Sequence, residues 1–464
     1  MTRFPRVAAL AAAIASLVAC SLSAIGEPAA SGAPPAGTPG GGVLRTPGEV
    51  DTAVWLRSDR RGTRWRGRQR IAFTNTGSIP LHRIWLRIWS NGPDGCEPLA
   101  IRLGVTAGGT LGAPLRACTA YPVDLDGTLA PGERTRLRLS LRIRTPARND
   151  RFGAHGGMAL LGGALPVPAI HDDAGWHLDP YVDLGESFYS LAAGYRVTLN
   201  VPDDLDTAAT GRIAERTEHA GRETRTYVAR NVREFAWAAA RFSQLIAHAD
   251  GVTIRVWFRP GLVSRSRART VERNAVDSLR TFDDAFGRYP YPEVDLVVSA
   301  FRTFGGMEYP QIVFTNPDAL TVAHELAHQW WWGLVGNDEY AEPWLDESLA
   351  TWSMYLPYRP WRSCGSFRWP SPQARISNDM GYWGDHLDEY QTIYSGGGCM
   401  LAQLASRFGL ARFREILGTY AAAHRYGIAR TEDLQGAVAD AAATWLPGFD
   451  LDTFWQRWRL TPAP

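Results

Sequence analysis

The chain has 464 residues, 45% of them hydrophobic and 21% charged, the composition of a folded globular protein with apolar material for two or three domains. Its formal net charge of +2 gives no reason to expect a nucleic-acid-binding surface from the total. All 49 basic residues are arginine, so a Schiff-base or general-base lysine is excluded, because arginine stays protonated at any working pH.

Arg3 and Arg6 precede an apolar run from Val7 to Val18 that is too short to span a bilayer comfortably, and residues 1–20 read as a secretory signal. The run ends in Leu17, Val18, Ala19 and Cys20, which resembles the lipobox of bacterial lipoproteins. That resemblance implies lipidation of Cys20 and an extracytoplasmic protein anchored to the bacterial cell membrane. Residues 21–49 are rich in Ala, Gly, Pro and Ser with almost no large apolar side chain, which predicts a tether.

Between residues 50 and 258, short alternating segments at 68–73, 82–89, 135–143 and 195–201 are separated by Gly, Pro, Asn and Asp turns, the pattern of antiparallel sheets. Residues 136–143 alternate strictly, which predicts one buried face and one solvated face rich in arginine. No aromatic interleaving accompanies these arginines, so no nucleic acid is expected as a partner. With Cys20 set aside, Cys96, Cys118, Cys364 and Cys399 remain, an even number that suits disulfides in an oxidising compartment. Three pairings are possible; Cys96 with Cys118 and Cys364 with Cys399 keeps each bond inside one domain.

From residue 259 the texture becomes helical, at 269–286, 318–334, 344–355, 398–423 and 433–443, with a small sheet at 294–301 and 311–314. The decisive stretch is His324-Glu325-Leu326-Ala327-His328, entered through Asn316-Pro317-Asp318, which suits a helix start. Histidines four apart lie one turn above each other, so both imidazoles can converge on one zinc ion. Glu325, about 100° round the helix from His324, is placed as a general base without competing as a ligand. A catalytic zinc needs a third protein ligand and an open position, and Glu347 in Trp344-Leu345-Asp346-Glu347-Ser348-Leu349-Ala350 is the candidate, with Pro343 opening its helix.

The two histidines and the later glutamate resemble the gluzincin group, and specifically the M1 family of metallopeptidases. Gly305-Gly306-Met307-Glu308-Tyr309 is similar to the family's Gly-x-Met-Glu-Asn motif, Trp344 to Ala350 to its Trp-Leu-Asn-Glu-Gly-Phe-Ala segment, and residues 231–238 to a segment near the end of its N-terminal sheet domain. The resemblance implies that Glu308 binds the free α-amine of a peptide, that the backbone at Gly305 and Gly306 lines the substrate, and that Tyr394 stabilises the tetrahedral intermediate. The sequence departs from the family at Tyr309 and Asp346, where asparagine is usual, and at Met354, where an acidic residue often stands, which leaves substrate preference open. The family's large C-terminal helical domain is expected to be missing.

The reading is therefore an α+β protein: an N-terminal antiparallel β-sandwich at 50–258 followed by a thermolysin-like, mostly helical catalytic domain at 259–464. One zinc ion per chain is expected on His324, His328 and Glu347, with peptides as substrates. Aminopeptidase activity is the first expectation; the alternatives are an endopeptidase or dipeptidyl peptidase with the same site, or a catalytically silent envelope-binding lipoprotein. Trp330, Trp331 and Trp332 are expected to pack the core behind the metal helix.

Overall fold

The computed structural model describes residues 43–358 and 364–460. The expected signal, Cys20 and residues 21–42 of the expected tether lie outside them. Strict alternation over Arg134–Arg144 becomes a strand that buries Leu137, Leu139, Leu141 and Ile143 and turns its arginines to solvent. It belongs to a seven-stranded sheet ordered Arg212–His219, Arg222–Val232, Ala193–Pro202, Gly48–Ser58, Arg64–Thr74, Arg134–Arg144, Ile101–Ala107. One pairing corrects the expectation of purely antiparallel sheets: Gly48–Ser58 and Ala193–Pro202 run parallel, with Val54 opposite Val197. Alternation marks a half-buried strand but does not fix the direction of its neighbour.

A four-stranded sheet, Val167–Pro168, Leu81–Arg87, Ala120–Leu129 and Gly109–Leu111, contributes Ile84, Leu86 and Val123 to the same apolar core as Ile71 and Leu139 of the larger sheet. A further sheet of four short strands includes Trp237–Ala240 and Met158–Leu161. Disulfides join Cys96 to Cys118 and Cys364 to Cys399.

The sheet nearest the helices is mixed and five-stranded, ordered Ser243–Ala249, Val252–Phe258, Glu293–Val298, Ile312–Thr315, Gly306–Met307. The change of texture read near residue 258 falls inside it, since Val252–Phe258 pairs in parallel with Glu293–Val298. Its last strand carries Gly306 and Met307, so the glycine-rich segment is itself a sheet edge.

Three helices frame the site. Helix α1, Arg265–Phe286, buries Val271, Ala275, Leu279, Phe282 and Phe286, the three-to-four spacing of one apolar stripe. Helix α2, Ala319–Ala327, starts where the Asp318 carboxylate accepts from the Thr321 N–H at 2.9 Å. It stops at His328, short of the expected residue 334. Trp332 takes a φ of 108° and the Gly333 N–H donates to the His328 carbonyl at 2.9 Å. The turn separates three consecutive tryptophans that one helix could not bury together: Trp330 and Trp331 enter the main core, and Trp332 a second cluster with Phe188, Met307 and Tyr309. Helix α3, Trp344–Ser353, has Asp346 and Glu347 in its first turn, where the helix dipole favours negative charge. The single helix expected over 398–423 is two, Gly397–Phe408 and Leu410–Ala423, broken at Gly409 with a φ of 84° that glycine adopts freely. Among the described residues no helix is long and apolar enough to cross a membrane.

Candidate active site

Helices α2 and α3 bring the three expected ligands together. His324 Nε2 lies 3.1 Å from Glu347 Oε2 and 3.1 Å from His328 Nε2, and His328 Nε2 lies 3.4 Å from Glu347 Oε2. Donors bonded tetrahedrally at about 2.0 to 2.1 Å stand roughly 3.3 to 3.4 Å apart, so this triangle has the size and the donor chemistry that zinc requires. His328 Nδ1 donates to the Trp331 carbonyl at 2.9 Å, which leaves the Nε2 lone pair free to face the triangle. Asp346 is farther, at 3.8 Å, with its other oxygen accepting from Asn337 Nδ2 at 2.9 Å. The turn that ends α2 therefore orients a metal-site histidine through its own backbone. Burial works against ionising Glu347, but the His324 and His328 imidazoles beside it overcome that cost and hold the carboxyl well below the usual range.

Glu325 is 4% exposed, and burial pushes its carboxyl well above the usual range, with Glu347 and Glu186 adding to the shift. Gly306 makes room for it: a Cβ there would stand 2.5 Å from Glu325 Cδ. Tyr394 sits in a single π-helical turn, Thr392–Gly396, and its hydroxyl donates to Glu347 Oε1 at 2.8 Å. Ser348, next to Glu347, donates to the Ile393 carbonyl at 2.5 Å, and only a glycine at 397 lets that turn approach, since a Cβ would meet Ser348 Oγ at 1.8 Å. Tyr394 is thus held to α3 by the neighbours of the residues it serves.

A cleft of about 760 Å³ joins His324, Glu325, His328 and Glu347 to Gly305, Gly306, Glu308 and Tyr394. Glu308 is 3% exposed, and burial, then the nearby Glu186, push its carboxyl well above the usual range.

Three contributors escaped the sequence reading. Gln329, the residue after the second histidine, donates to the carbonyls of Glu308 at 3.3 Å and Tyr309 at 3.1 Å and accepts from the Gln311 N–H at 2.8 Å, clamping the glycine-rich edge against α2. Its place beside His328 was the available signal. Glu186 and Arg151 also line the cleft and form an ion pair, with Arg151 donating to Tyr181 Oη at 2.9 Å and the Gly185 carbonyl at 2.8 Å. Both lie in irregular segments with no periodicity to read.

Comparison with known proteins agrees with this arrangement. Residues 272–363 match the peptidase family M1 domain, a span that includes α2 and α3. That stretch of the chain is similar to peptidase family M1. Aminopeptidase M1-B of Oryza sativa subsp. japonica is 26% identical over 312 residues, 59% of this chain and 35% of that protein. Aminopeptidase M1 of Arabidopsis thaliana is 26% identical over 283 residues, 53% of this chain and 32% of that protein. The chain thus spans about a third of the length of these M1 relatives. An M1 zinc metallopeptidase from Deinococcus radiodurans shares the fold, with a TM-score of 0.64 at 19% identity over 91% of this chain and 96% of that one. A mutant of it, bound to a Tyr-Ser-Ala substrate, gives a TM-score of 0.60.

Gly306 offers a direct test of the geometry. Gly306→Ala is expected to displace the Glu325 carboxylate and lower turnover about 100-fold, the effect of misplacing a reacting group by about 1 Å, with zinc content unchanged. Metal analysis beside steady-state kinetics checks it.

Proposed function

We propose that the protein is a zinc-dependent aminopeptidase. The observation that carries the reading is the triangle of His324, His328 and Glu347 opening into a cleft that also holds Glu325, Tyr394 and Glu308. Zinc, when bound there, supplies Lewis acidity toward the scissile carbonyl and the attacking water. Glu325 takes the proton of that water and returns it to the leaving amine; its burial suits a base that must also be stable protonated. The Tyr394 hydroxyl, on the far carboxylate oxygen of Glu347, is placed to turn its donor toward an oxyanion. Glu308, buried in the cleft beside the Arg151-paired Glu186, favours a protonated α-amine and so sets the cut beside the first residue.

The same reading takes the seven-stranded and four-stranded sheets as the layers of a β-sandwich, since their side chains share one core. It divides the chain into a tether, a sheet-rich part up to about residue 258 and a catalytic part beyond, with the expected tether boundary at 49 corrected, since Thr46 already bridges to His171 and Gly48 and Glu49 open the first strand. It also keeps the protein outside the cytoplasm, tethered through Cys20, with two disulfides as support.

The test is cleavage of amino-acid amides and short peptides with free or acetylated N-termini by the zinc-loaded protein. Cleavage of the free forms only is expected. Glu308→Ala should cost about 10- to 100-fold in kcat/KM on the free forms, the worth of one charge-assisted hydrogen bond. Equal cleavage of acetylated peptides would replace the exopeptidase reading with an endopeptidase one.

A further inference from the structure

The solvent face of the seven-stranded sheet carries a field of arginines that the peptidase reading does not use. Across the pairing of Arg64–Thr74 with Arg134–Arg144, three arginine pairs stand directly opposite one another: Arg64 with Arg144, Arg66 with Arg142, and Arg70 with Arg138. The Arg66 and Arg142 row continues to Arg57 on one side and Arg102 on the other, so four guanidinium groups line up over four strands. All of these arginines are exposed, and none makes an ion pair with a described residue. The nearest pairings sit at the margins, Arg134 with Asp51 and Arg196 with Glu215.

Like charges directly opposite across a sheet are destabilising, and a chain with a net charge of only +2 has carboxylates with which to dilute them. They stand elsewhere, so charge is segregated rather than merely high. In the middle of the field Trp55 is 37% exposed, opposite Arg68, whose guanidinium carbon lies 5.9 Å from its ring. The face is a continuous sheet surface with a concavity of about 690 Å³ at its margin, where Arg70 meets Glu49, Asp51 and Arg196; the paired rows of Arg64, Arg66, Arg138, Arg142 and Arg144 lie outside it.

We propose that this face docks on an anionic bilayer, its arginines on lipid phosphates and Trp55 at headgroup level. A broad sheet face matches a planar array of phosphates, and tryptophan favours the interface between water and lipid. The reading of Cys20 as a lipid anchor adds support, because the chain from Cys20 reaches the described fold at Val43, shortly before the strand that carries Trp55 and Arg57. One acyl signal with a basic surface holds a protein more firmly than either alone. None of these arginines lines the cleft, so docking leaves the catalytic residues free.

The test uses residues 43–464, which form a compact unit with its own core and lack the anchor. In sedimentation with phosphatidylcholine vesicles, binding is expected only when phosphatidylglycerol is included, and it should fall as salt is raised. Replacing Arg66, Arg70, Arg138 and Arg142 with glutamate should lower partitioning about 100-fold or more, at roughly fivefold per surface charge. The same four-charge reversal at Arg265, Arg267, Arg269 and Arg273, exposed on α1, should have little effect, and cleavage of a soluble peptide should be unchanged in both variants. Equal binding to neutral vesicles, equal loss in the α1 variant, or tighter binding to duplex DNA than to anionic vesicles at equal phosphate would each overturn the proposal.

Discussion

Glu325→Gln is expected to retain zinc and lose about 10³-fold in turnover, within the range of about 10² to 10⁴ that positioned acid–base groups contribute. The substitution is clean because the amide matches the carboxyl in shape and the buried site already favours an uncharged group there. Gly306 keeps the same space open for either side chain. His324, His328 and Glu347 are untouched, so metal analysis should give the wild-type stoichiometry, whereas His328→Ala removes a corner of the triangle and should lose both metal and activity. The two variants separate the base from the metal site. A Gln variant that turns over at the wild-type rate would remove Glu325 from the chemistry; one that loses zinc would make the defect a metal defect.

The residues of this site divide by the kind of information that specifies them. His324, Glu325 and His328 were legible because helical periodicity converts a spacing of four into a shared face, and Glu347 because a second helix start follows a turn rich in breakers. Tyr394 and Glu308 were reached only through family resemblance, since a single tyrosine or glutamate has no spacing to read. Glu186 and Arg151 were not legible at all. They meet the site through loops whose course depends on the packing of the sheet-rich part, and no local pattern encodes that meeting.

The fold shows the same division. Alternation located the strands of the large sheet, yet it could not reveal that Gly48–Ser58 pairs in parallel with Ala193–Pro202, because each strand only needs one buried face. The end of α2 was missed for a different reason. Three tryptophans in a row satisfy a hydrophobic pattern in any conformation, and what breaks the helix is the demand of two separate clusters for their rings. That break has a function. It turns the Trp331 carbonyl onto His328 Nδ1 and the Trp332 carbonyl onto Arg233.

Arg233 is accordingly the residue whose loss should damage the framework most. It is 0% exposed and donates from Nε to the Trp332 carbonyl at 2.7 Å, from one terminal nitrogen to the Ser190 carbonyl at 3.0 Å, and from the other to the Gly427 carbonyl. Three segments far apart in the chain are thereby tied to the turn behind the metal helix. Burial lowers its pKa to about 10, so the guanidinium stays charged at neutral pH and its donors face carbonyls that have no water to replace them. Gly336 permits the approach, since a Cβ there would fall 2.2 Å from the guanidinium carbon. Arg233→Ala leaves the buried Trp332 and Ser190 carbonyls short of a donor, at about 1 to 3 kcal/mol each, while the Gly427 carbonyl keeps the Gly336 N–H; with the cavity that opens, a loss of about 4 kcal/mol is expected in urea unfolding of the metal-free protein. Arg233→Lys should recover only part of it, because a single ammonium cannot span the planar fork. The turn it holds also orients His328, so zinc affinity should fall in both variants beyond any change in folded fraction, measured by competition with a chelator well below the unfolding midpoint. An Arg233→Ala protein with an unchanged unfolding midpoint and unchanged zinc affinity would show that the turn is held by the packing of its tryptophans alone.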